Sequence, residues 1–492
     1  MWTNNWQILS AVLYIMNLGL AIYAATSLIM RRRDPIKTLS WVIVLILLPY
    51  FGLILYFFFG QNIRKQILFS IKNNADYRFR KEISSSQIEY IKKNPNILGD
   101  LLPYKKIIFQ NLNNNYTAIE RNSKVDFYFI GRETLDEMYL AISMAKQHIH
   151  LQSYIIEDDK TGNRFADLLI SKAKKGLEVR LMYDGVGGIS LKRDFLNRLR
   201  ENGVEVLCFS KVRFLMPTSK LNYRNHRKIL VIDGKIGFIG GVNIADRYYY
   251  GTEVGDWHDT HIKIVGESVF SLQASFLLDR YFILNRKIGR RKKYYPSIEL
   301  SNIGKEIDAE TIATQTLVSG PDSHWSSIMQ CFFSAITSAK KNIYIVTPYF
   351  TPNQTILNAL KIAALGNIDV KIMLPERSDT IITHYSTMSY ITELLEAGVK
   401  IYLFKKGFNH SKVISIDRNI CIVGSANMDF RSFELNFEIM QIMYNKNCTS
   451  IIDNQFIKDC RKSKQIFLSK WKKRSKKQKI AESVARLCSP LL

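Results

Sequence analysis

The sequence predicts an α/β protein: two tandem α/β sandwich domains with mixed sheets, sharing one active site and preceded by a two-helix transmembrane hairpin. Three observations predict it. One short motif occurs twice, apolar runs alternate with helical segments in both halves, and two long uncharged stretches open the 492-residue chain. The motif His226-Arg227-Lys228-Ile229-Leu230-Val231-Ile232-Asp233 reads H-x-K-x-x-x-x-D, and His410-Ser411-Lys412-Val413-Ile414-Ser415-Ile416-Asp417 repeats it. An Asn precedes each His (Asn225, Asn409), and a turn ending in Asn follows each Asp, Gly240 to Asn243 and Gly424 to Asn427. The matched positions keep one interval: 410 − 226 and 427 − 243 are both 184. A single match of this length arises by chance, but two in register with shared flanks mark a duplication.

From the N-terminus, Met1 to Met30 has no charged side chain, and a second uncharged stretch runs from Thr38 to Asn62. About 20 apolar residues cross a bilayer as a helix, so both stretches suffice, with helices expected at about 8–30 and 38–60. Pro49 is tolerable inside such a helix. A cleaved signal peptide fits poorly, since no basic leading region is present and a second span follows. Sidedness stays open: Arg31, Arg32, Arg33 and Lys37 favour a cytoplasmic connection, whereas Arg64, Lys65, Lys72, Arg78 and Arg80 pull the other way. A linker is expected over residues 61–112, a first domain over 113–290, a second linker over 291–312 and a second domain over 313–492.

Within the domains, Ile229 to Ile232 and Val413 to Ile416 read as buried strands, and Ile236 to Ile239 and Ile420 to Val423 as the strands that follow. Side chains alternate along a strand, so His226 and Lys228 project to one side, as do His410 and Lys412. Upstream, Gly176 to Met182 parallels Asn367 to Met373, and Gly203 to Val206 parallels Gly398 to Ile401. Helices such as Phe165 to Ala173 and Ser386 to Ala397 lie between them, which argues for layered α/β domains with mixed or parallel sheets. The first half alone carries a basic and apolar insertion, Lys211 to Arg224, which suits either a lipid-facing entrance or an ordinary loop.

The repeated residue types suit a phosphodiester, an anion that needs a nucleophile, an acid for the departing alkoxide and cations for its free oxygens. One neutral imidazole can attack and a second, protonated, can release the leaving group. The motifs resemble those of the phospholipase D superfamily, and the resemblance runs from about Asn113 to the C-terminus. It implies catalysis by His226, Lys228, His410 and Lys412, with Asp233 and Asp417 closing the motifs and Asn243 and Asn427 binding substrate. Asp233 and Asp417 sit beside turns, where a structural role outweighs direct chemistry, because a free carboxylate repels phosphate. The resemblance also implies that an acid downstream of each motif orients its imidazole. Asp259 and Glu438 fit that position, and a surface salt bridge would explain each equally well. The other histidines are expected to be structural. No metal and no cofactor is implied, since the lysines supply the positive charge.

Two apolar spans, two intact motifs and this length are similar to the bacterial cardiolipin synthases of that superfamily. This implies a multi-pass protein of the cell membrane that transfers a phosphatidyl group from one phosphatidylglycerol to another, releasing glycerol. A hydrolase of the superfamily, another phosphatidyltransferase and a membrane-anchored nuclease remain alternatives. The net charge of +26 demands an anionic partner. The membrane hairpin favours anionic lipid over nucleic acid, and the basic run Lys470 to Lys479 suits either a lipid surface or a solvated tail. Six isolated Cys give neither zinc spacing nor a disulfide framework.

Overall fold

The computed structural model describes residues 2–30, 35–56, 76–210, 223–253, 255–286, 292–296 and 311–489. The N-terminal helices and the body from Asp76 onward belong to separate compact units. In the first unit a helix covers Trp2–Met30, and its Ser10–Met30 portion is long and apolar enough to cross a membrane. The second expected span is not one helix. It divides into Pro35–Leu47 and Pro49–Leu55, with Leu48 at φ −127° and ψ 67° between them. The cause is local: the ring of Pro49 disfavours helical backbone at the residue before it. The remainder of that expected span lies outside the described residues, as do Arg31 to Arg33, Arg64, Lys65, Lys72 and most of the Lys211 to Arg224 insertion.

In the body, the first repeat supplies β1 (Glu120–Ile130), β2 (His148–Ser153), β3 (Glu178–Asp184), β4 (Glu205–Phe209), β5 (Ile229–Ile232), β6 (Ile236–Gly240) and β7 (Trp257–Gly266). The second supplies β8 (Ile312–Ser319), β9 (Asn342–Val346), β10 (Phe350–Thr351), β11 (Asp369–Pro375), β12 (Lys400–Phe404), β13 (Phe408–Asn409), β14 (Val413–Ile416), β15 (Ile420–Gly424), β16 (Met428–Asp429), β17 (Glu438–Met443) and β18 (Ser463–Ile466). The first repeat runs β1-β7-β6-β5-β2-β3-β4 and the second runs β8-β17-β15-β14-β9-β11-β12-β18, the same order with one added edge strand. Parallel pairs β2–β3, β3–β4, β9–β11 and β11–β12 combine with antiparallel motif strands, so each sheet is mixed. β1 pairs antiparallel with β8, Glu120 opposite Thr314, and this joins both repeats into one sixteen-stranded sheet among the described residues.

The motif strands are covered on both faces. Ile229 and Val231 enter one core, while Leu230 and Ile232 enter another; Val413 and Ile414 divide in the same way. That double burial explains the unbroken apolar run of β5 and the run of β14, which only a buried Ser415 interrupts. The expected helices are present as Lys160–Lys174 and, interrupted at Tyr390, as Ile381–Ser389 and Ile391–Glu396.

The stretch expected as a linker over 61–112 is largely structured where it is described. Helices cover Asp76–Lys93, Pro95–Tyr104 and Lys105–Asn115. Ile107, Ile108 and Leu112 share a core with Leu317, Ile328 and Phe332 of the second repeat, and Asn111 Nδ2 donates to Gln315 Oε1 at 3.1 Å. The helices precede the first repeat in sequence but support the second. Asn, Lys and Gln between the apolar residues disguise a helix whose buried face is narrow.

Candidate active site

Each motif enters the sheet against the other repeat. β13, just before His410, pairs with the start of β7, and Asn225, just before His226, bridges to Phe437. The backbone N–H of His226 donates to Phe437 O at 2.9 Å, and that of His410 donates to His258 O at 2.7 Å. The two histidines therefore reach one site from separate halves, and both line a single cavity of about 580 Å³.

The acidic partners are exchanged. His226 Nδ1 lies 3.1 Å from Glu438 Oε1 in the second repeat, and also 3.1 Å from the carbonyl oxygen of Ser425. His410 Nδ1 lies 2.8 Å from Asp259 Oδ2 in the first. Each acid follows the motif of its own repeat but holds the imidazole of the other. With Nδ1 engaged, Nε2 is the nitrogen left for chemistry on each ring.

Burial sets the charge states. It lowers His226, with Glu438 opposing and Lys228 reinforcing the shift. Burial lowers His410 well below the usual imidazole range, helped by Lys412, Lys228 and His226. Burial raises Asp259 to about 6 despite Lys412. Glu438 goes the other way: burial pushes it up, but His226 and Lys228 outweigh that and leave it below the ordinary carboxylate range. Lys228 falls to about 7 and Lys412 to about 8, both chiefly through burial. Lys228 Nζ donates to His226 O at 2.6 Å, and Lys412 Nζ lies 2.7 Å from His410 Nδ1 and against the His410 carbonyl. An arriving phosphate anion restores charge to such lysines, because an opposite charge favours the protonated form.

Asn243 and Asn427 both line the cavity. Asn243 is braced, its Oδ1 accepting from the Ile155 N–H at 3.0 Å and its Nδ2 donating to Tyr248 Oη at 2.7 Å. Asn427 bonds to the buried Asp429 carboxyl. Asp233 and Asp417 line no part of this cavity. Asp233 accepts from the backbone N–H groups of Lys146, Gln147 and His148 at 2.7–2.9 Å, and Asp417 from those of Lys340, Lys341 and Asn342 over the same range. The spacing that the two repeats share at these acids answers to the sheet rather than the phosphate: each pins the start of the neighbouring strand, β2 or β9, while turning the chain at φ 55° or 53°. Asp tolerates that left-handed backbone better than most residues.

The cavity also contains residues the motif reading passed over. The ring of Tyr154 meets that of His226 at 4.9 Å, and Tyr349 meets His410 at 6.2 Å, with Tyr349 Oη donating to Asp379 at 2.5 Å. Arg224, Arg247 and Arg431 line the wall. Arg247 and Arg431 each lie four residues after the motif asparagine, and their separation is again 184, so the duplication itself carried the signal. Among the described residues, no group of three or more His, Cys, Asp or Glu is placed to hold a metal ion.

The family described as cardiolipin synthase, phospholipase D-like domain, matches residues 138–256 and 332–460, one match per repeat. The chain is 40% identical to the cardiolipin synthase of Alkalihalophilus pseudofirmus, over 96% of this chain and 92% of that one. The chain belongs to the cardiolipin synthase family of phospholipase D-like proteins. A second member, from Clostridium perfringens, is also 40% identical, with 94% and 95% of the two chains covered. A second family, described as phospholipase D-nuclease N-terminal, matches residues 19–61, which include both apolar stretches in part. The crystal structure of a Haemophilus influenzae phosphatidylserine synthase covers 79% of this chain and 100% of its own at a TM-score of 0.59. At 14% identity that likeness speaks for the fold alone.

Proposed function

We propose that the protein is a cardiolipin synthase of the bacterial cell membrane, converting two phosphatidylglycerols into cardiolipin and glycerol. The relatives of that name, at 40% identity over nearly the whole chain, support the reaction. The observation that carries the mechanism is the pair of imidazoles at one cavity, each held through Nδ1 by a buried acid of the opposite repeat.

In the first step Nε2 of His226 attacks phosphorus, assigned as nucleophile from the resemblance to the superfamily. The N–P bond forms as the P–O bond to glycerol breaks, and the departing oxygen takes a proton from His410, which the bound phosphate anion charges against the burial that keeps it neutral in the free enzyme. In the second step neutral His410 accepts the proton of a hydroxyl on the second phosphatidylglycerol. That oxygen attacks phosphorus, the N–P bond breaks, and His226 is released neutral. Acid and base are one residue in turn, as the reversal of charge requires. Lys228, Lys412 and the arginines of the wall neutralise the free oxygens, so the steps need no metal. Asp259 and Glu438 stabilise the imidazolium that forms above each.

Residues 1–60 anchor the enzyme as a membrane hairpin, its second arm bent at Pro49, and phosphatidylglycerol with other anionic lipids forms its surroundings. The repeats, 113–290 and 313–492, act as one catalytic body. Mass analysis of lipids after incubating purified protein with phosphatidylglycerol tests the reading: cardiolipin and glycerol are expected in equal amounts. Phosphatidic acid with glycerol and no cardiolipin would make the acceptor water and the protein a hydrolase.

A further inference from the structure

The C-terminal helix Lys476–Leu487 presents its apolar side to solvent. Ile480, Val484 and Leu487 recur at helical spacing and are each more than half exposed, whereas Glu482 on the other side is 2% exposed. Amphipathic helices of soluble proteins do the reverse. The inward face is firmly held: Glu482 pairs with Arg474 at 2.8 Å, Arg486 pairs with Glu393 at 2.6 Å, and the Ser386 and Ser489 hydroxyls share a hydrogen bond of 2.8 Å. The outward stripe is thus fixed by the fold.

The helix Ile381–Ser389 packs beside it and opens with Ile381 and Ile382, both more than half exposed. Thr380, which precedes that helix, and Thr383 within it line the catalytic cavity. Ile381 and Ile382 therefore stand beside the cavity wall, with the C-terminal helix packed against their own helix. Lys472, Lys473, Lys476, Lys477 and Lys479, all exposed, adjoin the apolar stripe within eight residues of sequence.

We infer that this face docks on the surface of an anionic lipid bilayer. Ile381, Ile382, Ile480, Val484 and Leu487 enter the boundary between headgroups and acyl chains, the lysines meet lipid phosphates, and the cavity opens towards the lipid. Apolar side chains flanked by lysines are the complement of such a surface, which offers both negative charge and hydrocarbon. The inference rests on the lipid reaction proposed above, because it explains how a two-chain lipid reaches a buried site.

The test uses the full chain reconstituted into vesicles of phosphatidylglycerol and phosphatidylcholine with brominated acyl chains. Cys208, Cys460 and Cys488 are replaced by Ser, and an environment-sensitive fluorophore is attached at Val484→Cys or, for comparison, at Met144→Cys, an exposed site of the first repeat. The probe at 484 should be quenched several-fold more than that at 144; equal quenching would overturn the docking face. Independently, Ile480→Glu with Val484→Glu should raise the KM for vesicle phosphatidylglycerol about tenfold while leaving turnover of a monomeric short-chain analogue unchanged. An unaltered KM on vesicles, or oligonucleotide binding lost in this variant with no quenching at 484, would equally overturn it. Quenching needs no turnover, so strong quenching without cardiolipin would refute the reaction and leave the docking face standing.

Discussion

At the scale of single residues, the proposed site sets two imidazoles on one phosphate. His226→Ala and His410→Ala should each lower turnover by about 10²–10⁴-fold or more, and the double variant should lose little beyond the worse single one. Steady-state rates on phosphatidylglycerol check this, and a single variant retaining a tenth of normal activity would refute a shared site. Glu438→Gln should slow formation of the phosphohistidine by mis-setting His226, whereas Asp259→Asn should impair the proton transfers of His410; rapid quenching into alkaline denaturant, in which the N–P bond survives, separates the two. Lys228→Met and Lys412→Met should cripple the enzyme, since a phosphate in this cavity would lose a cation, while excess EDTA should leave the unaltered enzyme active on a constant lipid surface. The pH profile follows from the free-enzyme charges. A lysine is charged below its pKa, and Lys228 sits at about 7 and Lys412 at about 8, so kcat/KM, already declining as the low-lying His410 loses its proton, should fall more steeply as pH rises through 7–8. An alkaline limb near the ordinary lysine value of 10.5 would contradict the shifts that burial imposes.

At the scale of elements, the hairpin that follows each motif is stapled to its neighbour strand by an aspartate. Asp233→Asn keeps the residue preference for left-handed backbone but weakens acceptance from three amides, and should cost about 1–3 kcal/mol of stability. Thermal unfolding of the detergent-solubilised protein should shift down while activity per folded molecule at low temperature is kept. Asp417→Asn should behave alike, and a selective loss of activity from either would return these acids to the chemistry. The same elements explain what the sequence concealed. The helix Lys105–Asn115 supports the second repeat through a few apolar positions among asparagines, a pattern too sparse to stand out by periodicity. The rings of Tyr154 and Tyr349 stand more than 60 residues before their histidines in sequence, and only folding brings them against the imidazoles.

At the scale of the molecule, the halves cannot be separated without dismantling the site. Either repeat alone would leave β1 or β8 as an open edge and strip each histidine of its acid. Halves divided within 297–310 and expressed separately should be inactive, and recover activity only when co-expressed. A chain beginning at Gln61 should still fold and form phosphohistidine on detergent-dispersed lipid, because the proposed catalytic groups all lie in the body. Failure of that well-folded shortened chain to form the intermediate would give the N-terminal helices a part in shaping the site.

By itself the sequence determined the duplication, the class of chemistry and a first apolar helix long enough to span a bilayer, and it singled out the imidazoles, lysines and acids proposed for the site. Those features are written as local patterns: spacing along a strand, an apolar run, a constant interval of 184. Tertiary structure decided which acid serves which histidine, because Asp259 and Glu438 reach across a junction made by β13, β7 and the strand entering His226. It decided that Asp233 and Asp417 hold backbone, since their acceptors' partners lie 75–87 residues upstream. It also decided the outward turn of the last helix, whose apolar stripe reads in sequence like any buried face. Contacts between distant segments leave no periodic trace in either segment, and only the packed chain states them.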